Sequence, residues 1–105
     1  MREGGAEVVK RLVRPGRKVY VTIDIDGLDG KEVPGTTKPE PGGFDFNAAI
    51  DMLKQIAKQN EVVGFDIVEL NPHRDLHNMT ANTCAQLMLN FVATSLPKNN
   101  PKFWF

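Results

Sequence analysis

The sequence contains one cysteine, Cys84, and a single thiol excludes both an internal disulfide framework and a zinc site built from clustered cysteines. Net charge is missing as well. Thirteen basic side chains balance 13 acidic ones, the two signs are interspersed, and no polyelectrolyte partner is implied. Apolar runs are a handful of residues long, far short of the roughly 20 that a membrane-spanning helix needs. The start, Met1-Arg2-Glu3-Gly4-Gly5, has no apolar signal-peptide core. A cytoplasmic, reducing setting is therefore expected, with neither nucleic acid nor membrane as a partner. Phosphate loops of the Gly-x-x-x-x-Gly-Lys type and the Gly-x-Gly-x-x-Gly fingerprint are also absent.

What is present amounts to one small ordered unit spanning 1–105, since 41% of the 105 residues are hydrophobic. Ala6, Val9 and Val13 form a helical stripe with Val8 and Leu12 beside it, and Pro15-Gly16 stops it. Lys18 to Ile25 is dense in β-branched and aromatic residues with almost no polar alternation, which predicts a strand covered on both faces. From Gly27 to Gly43 there are five glycines and three prolines in 17 residues, the composition of a long ordered or lid-like loop. Asp45 is placed to cap a helix carrying Phe46, Ala49, Ile50, Leu53, Ile56 and Ala57 on one face. Glu61 to Val68 reads as a second strand. Thr80 is placed to cap a last helix, with Ala81, Cys84, Ala85, Met88, Phe91 and Val92 on its apolar side and Pro97 at its end. The aromatic tail, Phe103-Trp104-Phe105, is expected to dock on another surface.

Two strands joined by a helix should be parallel, with a right-handed crossover. The fold class is α/β, a partial three-layer α/β/α unit. Two strands of buried character need further strands and helices around them, so the chain is expected to be part of a larger domain or to be completed by another chain.

Strand direction locates the chemistry, because ligands of open parallel sheets bind beyond the carboxyl ends of the strands. Asp24 and Asp26 lie at the first of these ends and Glu69 at the second. Three carboxylates brought to one edge repel one another, and hard oxygen ligands suit Mg²⁺, Mn²⁺ or Ca²⁺. The alternative is that Asp24 and Asp26 cap loop amides while Glu69 meets a lysine or arginine; spacing alone leaves both open. The run is not a calcium loop, because Leu28 stands at the next ligand position. His73 and His77, four apart, read as ordinary loop and cap histidines, and Cys84 as a core residue.

Thr22-Ile23-Asp24-Ile25-Asp26-Gly27-Leu28-Asp29, followed by Pro34-Gly35-Thr36 and Pro39-Glu40-Pro41-Gly42-Gly43, resembles the signature segment of the ureohydrolases, the family of arginase, agmatinase and formiminoglutamase. Phe65 to Pro72, with Asp75 and Thr80-Ala81 after it, resembles the family's next block, and the Pro-Gly-Thr form is closest to the agmatinase branch. The resemblance covers roughly residues 6 to 95 and corresponds to the family's carboxyl-terminal third. It implies a binuclear manganese site, with Asp24 bridging the two metals, Asp26 a ligand of one, and Glu69 anchoring a guanidinium group. Two metals would acidify a shared water that attacks the guanidinium carbon, releasing urea and an amine. Thr22, Gly30 and Thr37-Lys38 depart from the family pattern, and Lys38 suits a site for a cation only if it points outward. The family's first metal histidine and its Asp-x-His-x-Asp segment belong upstream, so the chain alone is expected to be weakly active or inactive.

Three functions follow in order of fit. The first is an agmatinase-like hydrolase acting on a guanidino compound such as agmatine, as a homo-oligomer or with a completing chain. The second is a non-catalytic fragment or subunit that associates with a full-length relative. The third, a metal enzyme holding a phosphate or nucleotide-sugar through Asp-x-Asp, leaves the Pro-Gly-Thr and Glu-Leu-Asn-Pro blocks unexplained.

Overall fold

A computed structural model describes residues 4–96. The order is α1 (Gly5–Leu12), β1 (Lys18–Asp24), a short 3-10 turn (Ile25–Gly27), α2 (Phe46–Gln59), β2 (Glu61–Val68), a second 3-10 turn (Pro72–Arg74) and α3 (Met79–Ser95). The expected aromatic tail and the Pro97 stop lie outside the described residues.

Periodicity placed α2 correctly. The Asp45 carboxylate accepts the Ala48 N–H at 2.7 Å, satisfying one of the orphan donors of the first turn. Ala49, Ile50 and Leu53 are buried, with Phe46 and Ala57 packed at the margin. Helix α1 lies so close to α2 that a Cβ at Gly5 would stand 2.5 Å from the Ala48 carbonyl oxygen.

The strands pair in parallel from Lys18↔Glu61 to Asp24↔Val68, and the helical crossover between them makes the fold α/β as expected. The register slips between Val19 and Tyr20, leaving Val63 unmatched as a bulge. Past the bulge, Val21, Ile23, Phe65 and Ile67 point into the core. Phe65 meets Phe91 of α3 edge to face, with ring centroids 5.2 Å apart. Tyr20, Thr22, Asp24, Gly64, Asp66 and Val68 take the other face by alternation. There Tyr20 hydroxyl donates to Asp66 at 3.0 Å.

That outer face corrects one expectation. Tyr20 is 61% exposed and Val68 37%, so among the described residues the helices cover only one side of the sheet. The shortest extent, 18 Å, has room for one sheet and one helix layer. The apolar density of β1 marks a surface suited to cover on both sides, and the described residues supply it on one.

Helix α3 is where the expected face fails. Its buried residues are Thr80, Cys84, Leu87 and Phe91, whereas Met88 is 43% exposed. Apolar side chains occur all round this helix, so hydrophobic period could not choose the phase. Thr80 does not cap it either. The N-cap position is Asn78, in a left-handed conformation without a side-chain cap bond. Asp75 does the work instead, accepting the N–H groups of Thr80 at 2.9 Å and Ala81 at 3.0 Å.

The long loop is ordered and tied. Asp29 accepts the N–H groups of Lys31 and Gly42 through its two oxygens. Asp29 N–H bonds Phe44 carbonyl, Phe44 N–H bonds Gly27 carbonyl, and Gly30 N–H bonds Glu40 carbonyl. Leu28 and Val33 plug the loop into the core. Lys38, at its rim, is exposed.

Candidate active site at the strand ends

Strand β1 ends on Asp24, and the chain turns at once because Ile25 is drawn wholly into the core. The turn is closed by Asp24 Oδ1, which accepts the Asp26 N–H at 2.9 Å. One oxygen of Asp24 thus caps a loop amide, as the alternative reading proposed for this residue. Asp26 behaves otherwise. Its Oδ1 is buried and has no hydrogen-bond partner among the described residues. A buried carboxylate oxygen without a donor is costly, and a divalent cation is a group that would satisfy it. The Asp24–Asp26 pair therefore fits one side of a hard-cation site. Among the described residues, however, no group of three or more His, Cys, Asp or Glu side chains is placed to hold a metal.

Strand β2 ends on Val68, directly opposite Asp24, so Glu69 leaves the sheet one residue beyond that pair. Glu69 is exposed, and no described lysine or arginine forms an ion pair with it. Its backbone is left-handed, φ 73°, a conformation disfavoured for side-chain-bearing residues. His73 and His77 are exposed in the segment after it. Cys84 is buried, and its thiol is pushed up by desolvation and by the nearby Asp75 charge, which leaves it inert.

The two motif blocks touch. Thr36 pairs with Leu70 in an antiparallel bridge, and Asn71 N–H donates to Gly35 carbonyl at 2.7 Å. Gly35 N–H in turn donates to the buried Thr80 hydroxyl, also at 2.7 Å. Pro34-Gly35-Thr36 thereby grips the chain just after Glu69. Sequence reading quoted all of these residues but missed their mutual contact, because spacing carries no signal for a bond spanning 45 positions. A recess of about 400 Å³ lined by Arg17, Lys18 and Lys58 opens at the amino ends of the strands, away from these carboxylates.

The sequence profile of the Arginase family matches residues 1–93. The chain belongs to the arginase family. This arginase-family chain is 36% identical over 86 residues to the N(1)-aminopropylagmatine ureohydrolase of Thermus thermophilus, covering 82% of itself and 28% of that protein. It is 40% identical over 89 residues to the agmatinase of Pyrococcus horikoshii, covering 85% of itself and 30% of the relative. The agmatine ureohydrolase of Thermoplasma volcanium superposes with a TM-score of 0.78 at 30% identity, over 90% of this chain and 31% of that one. The chain spans less than a third of the length of these relatives. No helix among the described residues is long and apolar enough to cross a membrane.

Proposed function

We propose that this arginase-family chain is the strand-end portion of a manganese-dependent, agmatinase-like ureohydrolase of the cytoplasm. Asp24 and Asp26 contribute to a binuclear manganese site, and Glu69 anchors the guanidinium of a substrate such as agmatine. Water adds to the guanidino carbon, the bond from that carbon to the amine nitrogen breaks, the proton passes to the amine, and urea leaves. The buried, unpartnered Asp26 Oδ1 beside Asp24 carries this reading, because it is a donor without a counter-charge at the end of the sheet where ligands bind. Oxygen donors of this kind suit manganese. When bound, such a metal pair supplies an acidified water and electrostatic stabilisation. Glu69 is exposed with no ion pair to a described lysine or arginine, and a carboxylate can receive two parallel N–H bonds from a planar guanidinium. Lys38, exposed at the loop rim, is compatible with a cationic substrate. The remaining ligands come from outside the described residues, within a homo-oligomer or from a completing chain.

The test uses the full protein carrying this chain, with manganese and agmatine. Asp24→Asn is expected to abolish manganese-dependent urea release. Glu69→Gln should raise KM roughly 10- to 100-fold, the loss of a hydrogen-bonded contact to a charge, with kcat less affected. Unchanged kinetics in both variants would remove the assignments. Because the described residues hold no three-member ligand group, the second reading is a non-catalytic subunit. It predicts association with a full-length relative whose turnover is indifferent to both substitutions.

A further inference from the structure

Glu69 stands in a left-handed turn that glutamate does not adopt without help. Such strain persists where the surroundings over-determine it, and it gathers at functional sites. The help here comes from one side. Immediately after Glu69, Leu70 is bridged by Thr36 and Asn71 N–H is held by the Gly35 carbonyl. Gly35 is held in turn by a single side chain, Thr80, whose hydroxyl accepts its N–H at 2.7 Å. Thr80 is wholly buried at the start of α3, and its own N–H donates to Asp75 at 2.9 Å. Thr80 thus serves Asp75 through its N–H and Gly35 through its hydroxyl. Gly35 also lies against Asp75 with no room for a Cβ, which fixes the spacing of the relay.

We propose that Thr80, backed by Asp75, is a positioning residue for Glu69, acting through the Gly35 turn to hold the exit of β2 in its left-handed conformation. This rests on the reading of Glu69 as the guanidinium anchor. It reassigns a threonine that sequence alone places as a helix cap. The penalty of a left-handed glutamate is of the same order as the net gain of one or two hydrogen bonds, so losing the Thr80 contact is enough to release the turn. Glu69 then samples the ordinary extended region, and its carboxylate leaves the direction that the left-handed turn gives it at the exit of β2.

Thr80→Val removes the hydroxyl at nearly constant shape, and Thr80→Ser restores it. In the full protein, Thr80→Val should speed hydrogen exchange at the Gly35 and Asn71 amides about tenfold, while amides of α2 keep their rates. The backbone coupling and carbon shifts of Glu69 should lose their left-handed signature. Agmatine binding should weaken about tenfold with manganese binding unchanged, and Thr80→Ser should recover all of these. Should Thr80→Val fail to fold, Asp75→Asn decides, because it removes the relay's anchor and should accelerate the same two amides. Parental exchange at Gly35 and Asn71 in the foldable variants would overturn the relay. Agmatine binding indifferent to Glu69→Gln would instead defeat the guanidinium reading while leaving the exchange result standing.

Discussion

A methyl group added at Gly35 would meet the Asp75 side chain at 2.7–2.8 Å, whereas one added at Gly27 would meet nothing within 4 Å. The two glycines belong to the same loop and look alike in sequence, yet only Gly35 lies between two packed segments. Gly35→Ala should therefore destabilise the protein by about 1–3 kcal/mol, the usual cost of overpacking, as read from the denaturant midpoint. Gly27→Ala should fall within about 0.5 kcal/mol of the parent. Equal effects would show that Asp75 can move aside. At this scale, sequence located Asp24, Asp26 and Glu69 correctly at the strand ends, because strand direction and apolar density are local properties. It could not tell Gly35 from Gly27, since what crowds Gly35 is Asp75, in the segment between the second 3-10 turn and α3, far along the chain.

Two carboxylates hold the elements that frame the site, and both are kept below the ordinary value of 3.8. Burial pushes Asp75 up, but N–H groups of Thr80, Ala81 and Leu76 and the Thr80 hydroxyl together outweigh it. Asp29 is drawn down by the Lys31 N–H first and the Gly42 N–H second. A folded-state value below the unfolded one adds stability above the ordinary value, and that stability disappears as pH falls through the folded value. Acidification below about 3.8 should therefore loosen the start of α3 and the 27–43 loop before α2 unwinds. An amide-shift titration should show Lys31, Gly42, Thr80 and Ala81 moving together. The Asp29→Asn, Asp75→Asn double variant should start less stable and decline less steeply in acid. A parental acid limb in that variant would refute the assignment. Element boundaries themselves were legible, since α2 announces its period and the strands their density of β-branched and aromatic residues. The phase of α3 was not, because apolar residues ring it and the buried face is chosen by tertiary contacts, Thr80 with Gly35 and Phe91 with Phe65.

Taken whole, the described molecule is one sheet of two strands with helices on one side, two open edges and an outer face bearing Tyr20, Thr22 and Val68. Parallel strands of this composition are stable when covered on both faces, so the free surface matches what the rest of a larger sheet would bury. The same incompleteness governs the chemistry. A near-octahedral manganese ion needs a full shell of oxygen and nitrogen donors, and the described residues hold no three-member ligand group at the strand ends or elsewhere. On the proposed reading Glu69 supplies a guanidinium anchor, and the metal-activated water that cation would react with needs ligands from outside the described residues. The purified 105-residue chain, given manganese and agmatine, should therefore release little or no urea by colorimetric assay. Adding a chain that supplies the remaining ligands should restore release, and Asp24→Asn in this chain should cancel the gain. Sustained manganese-dependent turnover by the isolated chain, itself abolished by Asp24→Asn, would mean that two carboxylates and solvent suffice to build the site.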